Sequence, residues 1–139
     1  MTENELNELT GGIIGVSIGV HRELGPGLLE SVYQRCLKIA LEDDGYHVQC
    51  ELPLPVIFRG REIHGDGYRI DMLVNDTVIM EVKSVASLLP VHEKQLLTYL
   101  RLSGKPCGLL INFHVVQLKQ GIKRIKNGFL PSVWKTIVQ

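Results

Sequence analysis

Residues 70–83 read IDMLVNDTVIMEVK, a pattern of two apolar β-strands joined by a tight turn around Asn75-Asp76. If the turn contains only these two residues, charged and apolar side chains mix on both faces of the strand pair. If it also includes Thr77, one face becomes wholly apolar. A buried apolar face fixes strand register, so we prefer the longer turn. It predicts the opposed pairs Val74–Val78, Met72–Met80 and Ile70–Val82 on that face.

The other face of the predicted pair carries Asp71 opposite Glu81, with Leu73 opposite Ile79 and Lys83 just beyond. Two carboxylates about 5 Å apart repel each other unless a cation joins them. Their oxygens suit Mg²⁺ or Mn²⁺, and a neighbouring lysine can orient a water molecule or offset phosphate charge. This is a coherent site for phosphodiester hydrolysis. The alternative is an exposed strand face with a cross-strand ion pair, which the short spacing alone favours.

Outward from this pair, the sequence predicts a helix over 5–23 whose inner face carries Leu6, Leu9, Ile13, Val16 or Ser17, Val20 and Leu24. The remaining predicted elements are a helix over 28–43, strands over 47–58, 61–74 and 77–84, a helix over 91–102 and a buried strand over 107–113. Residues 115–126 are ambiguous. The order predicts an α/β (α+β) fold, a central mixed β-sheet with an antiparallel meander flanked by α-helices. Neither a linker nor a repeat divides the chain, so we expect one domain over 1–139.

Composition favours a cytoplasmic protein. Among 139 residues there is no apolar run near about 20 residues, so a membrane span is not expected. The acidic start, MTENELNELT, lacks the basic segment of a signal peptide. Three scattered cysteines, Cys36, Cys50 and Cys107, indicate reduced thiols and neither a disulfide framework nor a zinc site.

Charge is divided unevenly along the chain although the formal net charge is zero. Residues 1–70 carry net −5 and residues 71–139 net +5. Beyond Glu93 there are eight bases and no acid: Lys94, Arg101, Lys105, Lys119, Lys123, Arg124, Lys126 and Lys135. Folded onto one surface, these bases could gather phosphates. The alternative is a solvated face that balances the acidic half.

Several blocks together resemble the GxxExxY proteins, a family within the PD-(D/E)xK nuclease superfamily. The blocks, in order, are GPGLLESVY, the Asp71…Glu81-Val82-Lys83 strand pair, LLPVHEKQLLTYLRLSG and GLLINF, and the likeness covers roughly residues 10–126. It implies a restriction-endonuclease-like core. Ile70 stands where the superfamily name has proline, a residue that many of its members lack.

The resemblance also implies roles for individual residues. Asp71 and Glu81 would be metal ligands and Lys83 the catalytic lysine. Glu30 would be the helix-borne acid that completes the site, and the carbonyl of Val82 an extra ligand. Two further residues, Gln95 and Tyr99, match the QxxxY helix motif of RecB-like nucleases and would support the metal site or the substrate.

We therefore predict a Mg²⁺- or Mn²⁺-dependent nuclease-like enzyme that acts on nucleic acid, with DNA favoured over RNA. A homodimer or a partner subunit is left open. One alternative is a non-catalytic module on the same fold that binds nucleic acid or protein. Another is a phosphohydrolase that acts on a small phosphoester, which would need a closed pocket where a nuclease needs an open groove.

Overall fold

A computed structural model describes residues 1–128 of the chain, apart from the side chains of residues 64–66. Three α-helices, five β-strands and one short 3₁₀ helix are formed by these residues. In chain order they are α1 (Glu3–Leu24), α2 (Glu30–Asp43), β1 (Val48–Phe58), β2 (Arg61–Val74), β3 (Val78–Lys83), α3 (Pro90–Ser103), β4 (Cys107–Asn112), the 3₁₀ helix (Leu118–Gly121) and β5 (Ile122–Lys126). The predicted helices and strands are confirmed to within about two residues.

The strands form one mixed sheet in the order β1-β2-β3-β4-β5. β1, β2 and β3 are antiparallel neighbours, β3 and β4 are parallel, and β4 and β5 are antiparallel. A parallel pair needs a crossover connection, and α3 supplies it between β3 and β4. The fold therefore matches the predicted mixed sheet with a meander, and its segment 115–126 resolves into the 3₁₀ helix and an edge strand.

Each face of the sheet is covered by helices. α1 and α2 cover one face, where Ile13 and Leu37 pack with Met72, Met80 and Ile111. α3 covers the other face, with a core made of Ile70, Leu73, Ile79, Leu96, Tyr99, Leu100, Leu110 and Leu54. Both central strands are buried, as expected for strands covered on two sides.

The inner face of α1 differs from the prediction at Leu9, which is only half-buried, and at Leu24, whereas Thr10 and His21 are buried. The buried stripe is Leu6, Thr10, Ile13, Ser17, Val20 and His21. Thr10 and Ser17 are tolerated because their hydroxyls donate to backbone carbonyls one turn earlier. Leu24 is 36% exposed, so its expected place in the core is wrong; it is the last helical residue, and the chain turns away at Gly25.

The preferred register of β2 and β3 is confirmed over three pairs, Val74–Val78, Leu73–Ile79 and Met72–Met80. The left-handed positions of the turn fall on Asn75 and Asp76, with φ of 49° and 53°. These residue types tolerate that conformation better than Thr77 would.

The predicted pairing of Ile70 with Val82 on one apolar face is wrong. Ile70 packs on the α3 side of the sheet, whereas Val82 packs on the α1 and α2 side. Opposite this part of β2, Glu51 of β1 has φ of 53°, and its neighbours Cys50 and Leu52 pack on opposite sides of the sheet. Side chains two apart in a regular strand share a face, so the strands change face here.

The described residues contain three cysteines, all with free thiols, as predicted. None of the helices within residues 1–128 is long and apolar enough to cross a membrane.

Candidate active site

Asp71 and Glu81 occupy the point where β2 and β3 stop pairing. The last ladder pair is Met72–Met80, and beyond it side chains replace the backbone bonds. The Asp71 carboxylate accepts from the Val82 N–H at 3.0 Å, and the Glu81 carboxylate accepts from the Asp71 N–H at 3.3 Å. Each acid is thus held by the backbone of the opposite strand. The structure therefore brings Asp71 and Glu81 close together across β2 and β3, as the sequence predicted.

Burial raises the pKa of both acids, so each holds its proton to a higher pH than a free carboxyl group. Glu81 is only 5% exposed, and burial, followed by repulsion from Asp71, raises its pKa to about 9. The pKa of Asp71 is also raised by burial. The positive charge of Lys83 opposes both shifts. In the absence of a cation, burial and the nearby Asp71 therefore favour the protonated form of Glu81.

The backbone of Lys83 is fixed by the neighbouring strand. Lys83 lies opposite Asn112 in the parallel ladder, and its carbonyl accepts from the Phe113 N–H at 2.8 Å. The buried Asn112 amide exchanges hydrogen bonds with both backbone groups of Val85. These contacts anchor the end of β3 and the segment that follows it, so the lysine projects from a rigid base.

Glu30 reaches the same end of β3 from the first turn of α2. Its carboxylate accepts from the Ser84 N–H at 2.9 Å, directly after Lys83. The Ser84 hydroxyl donates to the Leu28 carbonyl at 2.8 Å. The two bonds tie the loop before α2 to the end of β3.

The glycine and the tyrosine of the GxxExxY block, Gly27 and Tyr33, stabilise the loop that positions Glu30. Gly27 has φ of 101°, a backbone conformation that favours glycine. The fully buried Tyr33 donates from its hydroxyl to the Gly25 carbonyl and accepts from the Leu28 N–H. Its ring stacks on Phe113, with centroids 4.3 Å apart. The tyrosine thus anchors the loop that precedes Glu30.

Gln34 belongs to the surroundings of the site although sequence reasoning missed it. Its amide nitrogen donates to the Asp71 carbonyl at 3.2 Å and to the Glu51 carboxylate at 2.9 Å. Gln34 lies four residues after Glu30, so both share one face of α2. That spacing was the signal that could have revealed it. Glu51 adds a nearby negative charge that raises the pKa of Asp71 further.

From the opposite side of the sheet, α3 brings Tyr99 to the acids. Tyr99 is 5% exposed, and burial, followed by the charges of Glu81 and Asp71, raises its pKa to about 12. The exposed Gln95 lies one turn earlier on α3, and its nearby side chain opposes the rise in the pKa of Tyr99. The structure thus places Gln95 and Tyr99 near each other on α3, and their support of the metal site or the substrate stays a prediction.

The donor set suits a divalent cation in part. The buried carboxylate of Glu81, the half-buried carboxylate of Asp71 and a nearby carbonyl are hard oxygen ligands, and a cation would relieve the repulsion between the acids. However, the structure of residues 1–128 contains no group of three or more His, Cys, Asp or Glu side chains that could hold a metal ion. This holds for the described side chains, which exclude those of residues 64–66. Glu30 instead bonds the backbone of Ser84. The complete ligand set with Glu30 and the Val82 carbonyl stays a prediction.

A mixed sheet with paired acids and a lysine at the end of neighbouring strands defines a class of proteins suited to metal-assisted hydrolysis. A family model described as the PD-(D/E)XK nuclease superfamily matches residues 7–125. The chain therefore belongs to the PD-(D/E)XK nuclease superfamily, whose members are generally nucleases that use divalent metals. No curated protein and no solved structure matches the chain significantly.

Proposed function

We propose that this protein is a divalent-metal-dependent nuclease that hydrolyses phosphodiester bonds. The observation that carries the proposal is the Asp71–Glu81 pair, a half-buried and a buried acid held close together at the open end of a strand pair. Burying such a pair is unfavourable unless it is protonated or bound to a cation. The presence of this unfavourable pair beside Lys83 supports a catalytic role for the site.

In this proposal Asp71, Glu81, Glu30 and the Val82 carbonyl hold Mg²⁺ or Mn²⁺. Such an ion would polarise the phosphate and lower the pKa of a bound water. Lys83 orients the attacking water and offsets the negative charge that grows on the phosphate. From α3, Gln95 and Tyr99 position the substrate or the carboxylates.

The proposed substrate is nucleic acid, with DNA favoured over RNA. Part of the basic second half of the chain is already paired. Lys105, Lys123 and Lys126 form ion pairs with Asp76, Glu93 and Glu3. Lys135 lies outside the described residues. The basic surface available to phosphates is therefore smaller than the sequence alone suggests.

We also propose that the chain belongs to the GxxExxY proteins, because the residues of that block together place Glu30 beside β3. A single domain over 1–139 and a location in the cytoplasm stay predictions. Whether a second copy or a partner subunit joins the chain is left to the measurement of its mass in solution.

The test is cleavage of labelled single- and double-stranded DNA and RNA with Mg²⁺, with Mn²⁺ and with EDTA. Asp71→Asn is the informative variant, since its amide oxygen can still accept from the Val82 N–H. Asp76→Asn is the matched control, because Asp76 is an exposed acid at the opposite end of the same hairpin. We expect Asp71→Asn and Lys83→Ala each to lose about 100-fold or more in rate, with Asp76→Asn unchanged.

Equal activity of Asp71→Asn and Asp76→Asn would contradict the site assignment. Binding of nucleic acid that is sensitive to salt but indifferent to metal, with no cleavage, would favour a binding module on the same fold. Cleavage confined to small phosphoesters would favour a phosphohydrolase.

A further inference from the structure

An exposed aromatic side chain, Tyr68, lies beside the candidate site. Tyr68 is 44% exposed, and its ring lies against that of Tyr99 with centroids 5.7 Å apart and planes inclined by 59°. Tyr99 in turn is close enough to Glu81 and Asp71 to respond to their charges. A single exposed aromatic residue is ordinary on a protein surface. This one is held by a buried ring that packs in one cluster with Ile70, the residue that precedes Asp71.

Tyr68 stands on an arm of the sheet. β2 pairs with β3 only over residues 72–74, whereas β1 and β2 pair from Val48–Val74 to Phe58–Arg61. The outer part of this hairpin is therefore a two-stranded ribbon that extends past β3. Tyr68 lies at its base, opposite Leu54, whose side chain is buried on the α3 side.

The chemistry of the arm suits a nucleic-acid strand. The exposed Tyr68 is followed directly by the exposed Arg69, whereas the ring of Phe58 at the tip of the arm is covered by its own neighbour Arg59, 5.0 Å from the ring centroid. Aromatic rings offer a stacking surface to any base, and arginine attracts the phosphate backbone. A base can lie on Tyr68 only when it is not stacked within a duplex, because a duplex presents base edges and phosphates to a protein.

We propose that Tyr68 is a base-stacking residue that selects single-stranded nucleic acid and positions the adjoining phosphodiester at the Asp71–Glu81 pair. This inference rests on the proposed function for the role of the acids. Stacking of a base on Tyr68 itself requires no cleavage. Binding and catalysis can therefore be tested separately.

The experiment measures binding in EDTA, by fluorescence anisotropy, of labelled oligothymidylate and oligouridylate of about 12 nucleotides and of a duplex of equal length. For Tyr68→Ala we expect affinity for both single strands to fall about 5- to 100-fold, while affinity for the duplex changes less than about twofold. Tyr68→Phe keeps the ring and should bind like the unaltered protein. Phe58→Ala is the matched control, since it truncates an exposed aromatic residue at the tip of the same arm.

A second readout separates stacking from a structural effect. A single strand that contains 2-aminopurine should change its fluorescence when it binds the unaltered protein and Tyr68→Phe, and not with Tyr68→Ala at saturating protein. The inference would be overturned if Tyr68→Ala bound single strands normally, if it lost duplex and single strand equally, or if Phe58→Ala matched its loss. Failure of the unaltered protein to bind any single strand would also overturn it. Binding of single strands that depends on Tyr68, without metal-dependent cleavage, would support base stacking on Tyr68 and contradict the proposed nuclease.

Discussion

At the scale of single residues, Glu81 has the environment most different from that of a free side chain. It is buried, lies against a second acid and is held by one backbone N–H. Burial disfavours its charged form, and the repulsion from Asp71 adds to that effect. The energetic cost of ionising Glu81 falls on the folded state alone, so this residue links folding to pH.

We expect the stability of the metal-free protein to fall as pH rises. Unfolded, Glu81 would lose its proton near pH 4.5, whereas in the folded chain it keeps that proton until about pH 9. Folding therefore takes up a proton between these values. The contribution to stability is complete below about 4.5 and is lost as pH passes the folded pKa. Asp71, whose pKa is also raised, acts in the same direction.

This expectation is checked by urea unfolding in EDTA at several pH values across that range. The variant Glu81→Gln cannot ionise at this position and should show a smaller loss of stability with rising pH. A stability that rises with pH in the unaltered protein, or an equal slope in Glu81→Gln, would contradict the link.

Gln34 provides a second prediction at this scale. Its amide joins the Asp71 carbonyl to Glu51, so we expect Gln34→Ala to loosen the backbone that carries Asp71. Loss of a typical hydrogen bond costs about 1 kcal/mol of folding free energy. Cleavage rate should fall while substrate affinity is kept, as for a positioning residue. Gln49→Ala, a half-buried glutamine of β1, is the control; equal kinetics for the two variants would remove Gln34 from the site.

At the scale of elements, much of the structure was predictable where the pattern was local. The alternation of residues 70–83 gave two strands and their register over three pairs, because a slip by one residue would bury charges. The change of face at Ile70 was not predictable. It accompanies a left-handed Glu51 in another strand, a residue type that carries no signal for that conformation. The bond from Glu30 to Ser84 joins residues 54 apart in sequence, so only the folded structure reveals it.

The loop before α2 leads to a prediction on glycine. Gly27 has φ of 101° and Gly11 lies within α1, and an added Cβ at either would meet nothing within 4 Å. Any difference between the two alanine variants must therefore come from the backbone. We expect Gly27→Ala to lower the free energy of unfolding by about 1–3 kcal/mol, and Gly11→Ala to raise it by about 0.4–1 kcal/mol. Urea unfolding measures both changes in the free energy of unfolding. A stabilised Gly27→Ala would contradict the expected backbone strain of alanine at this position.

At the scale of the whole molecule, the division of charge along the chain becomes a distribution in space. Lys126 of the edge strand β5 pairs with Glu3 at the start of α1, which joins the acidic and basic halves. Exposed ion pairs of this kind contribute little to stability. Their effect is to reduce the basic surface, so substrate attraction must rely on fewer charges than the sequence offers.

The whole molecule should also gain stability from a divalent ion, because a ligand that binds only the folded state stabilises it by mass action. We expect Mg²⁺ to raise the midpoint of thermal unfolding at pH 8 by several degrees in the unaltered protein and in Asp76→Asn. The increase should disappear in Asp71→Asn. Calorimetry in matched buffers measures it, and an equal increase in all three proteins would place the ion elsewhere.

The raised pKa of Glu81 has one more consequence. Because Glu81 keeps its proton up to about pH 9 in the absence of a cation, a divalent ion held by both acids, as proposed, would have to displace that proton. Ion binding would then be an exchange, in which the site releases one proton for each ion that it binds. We therefore expect metal binding at this site to be weak in acid and to strengthen as the solution becomes alkaline.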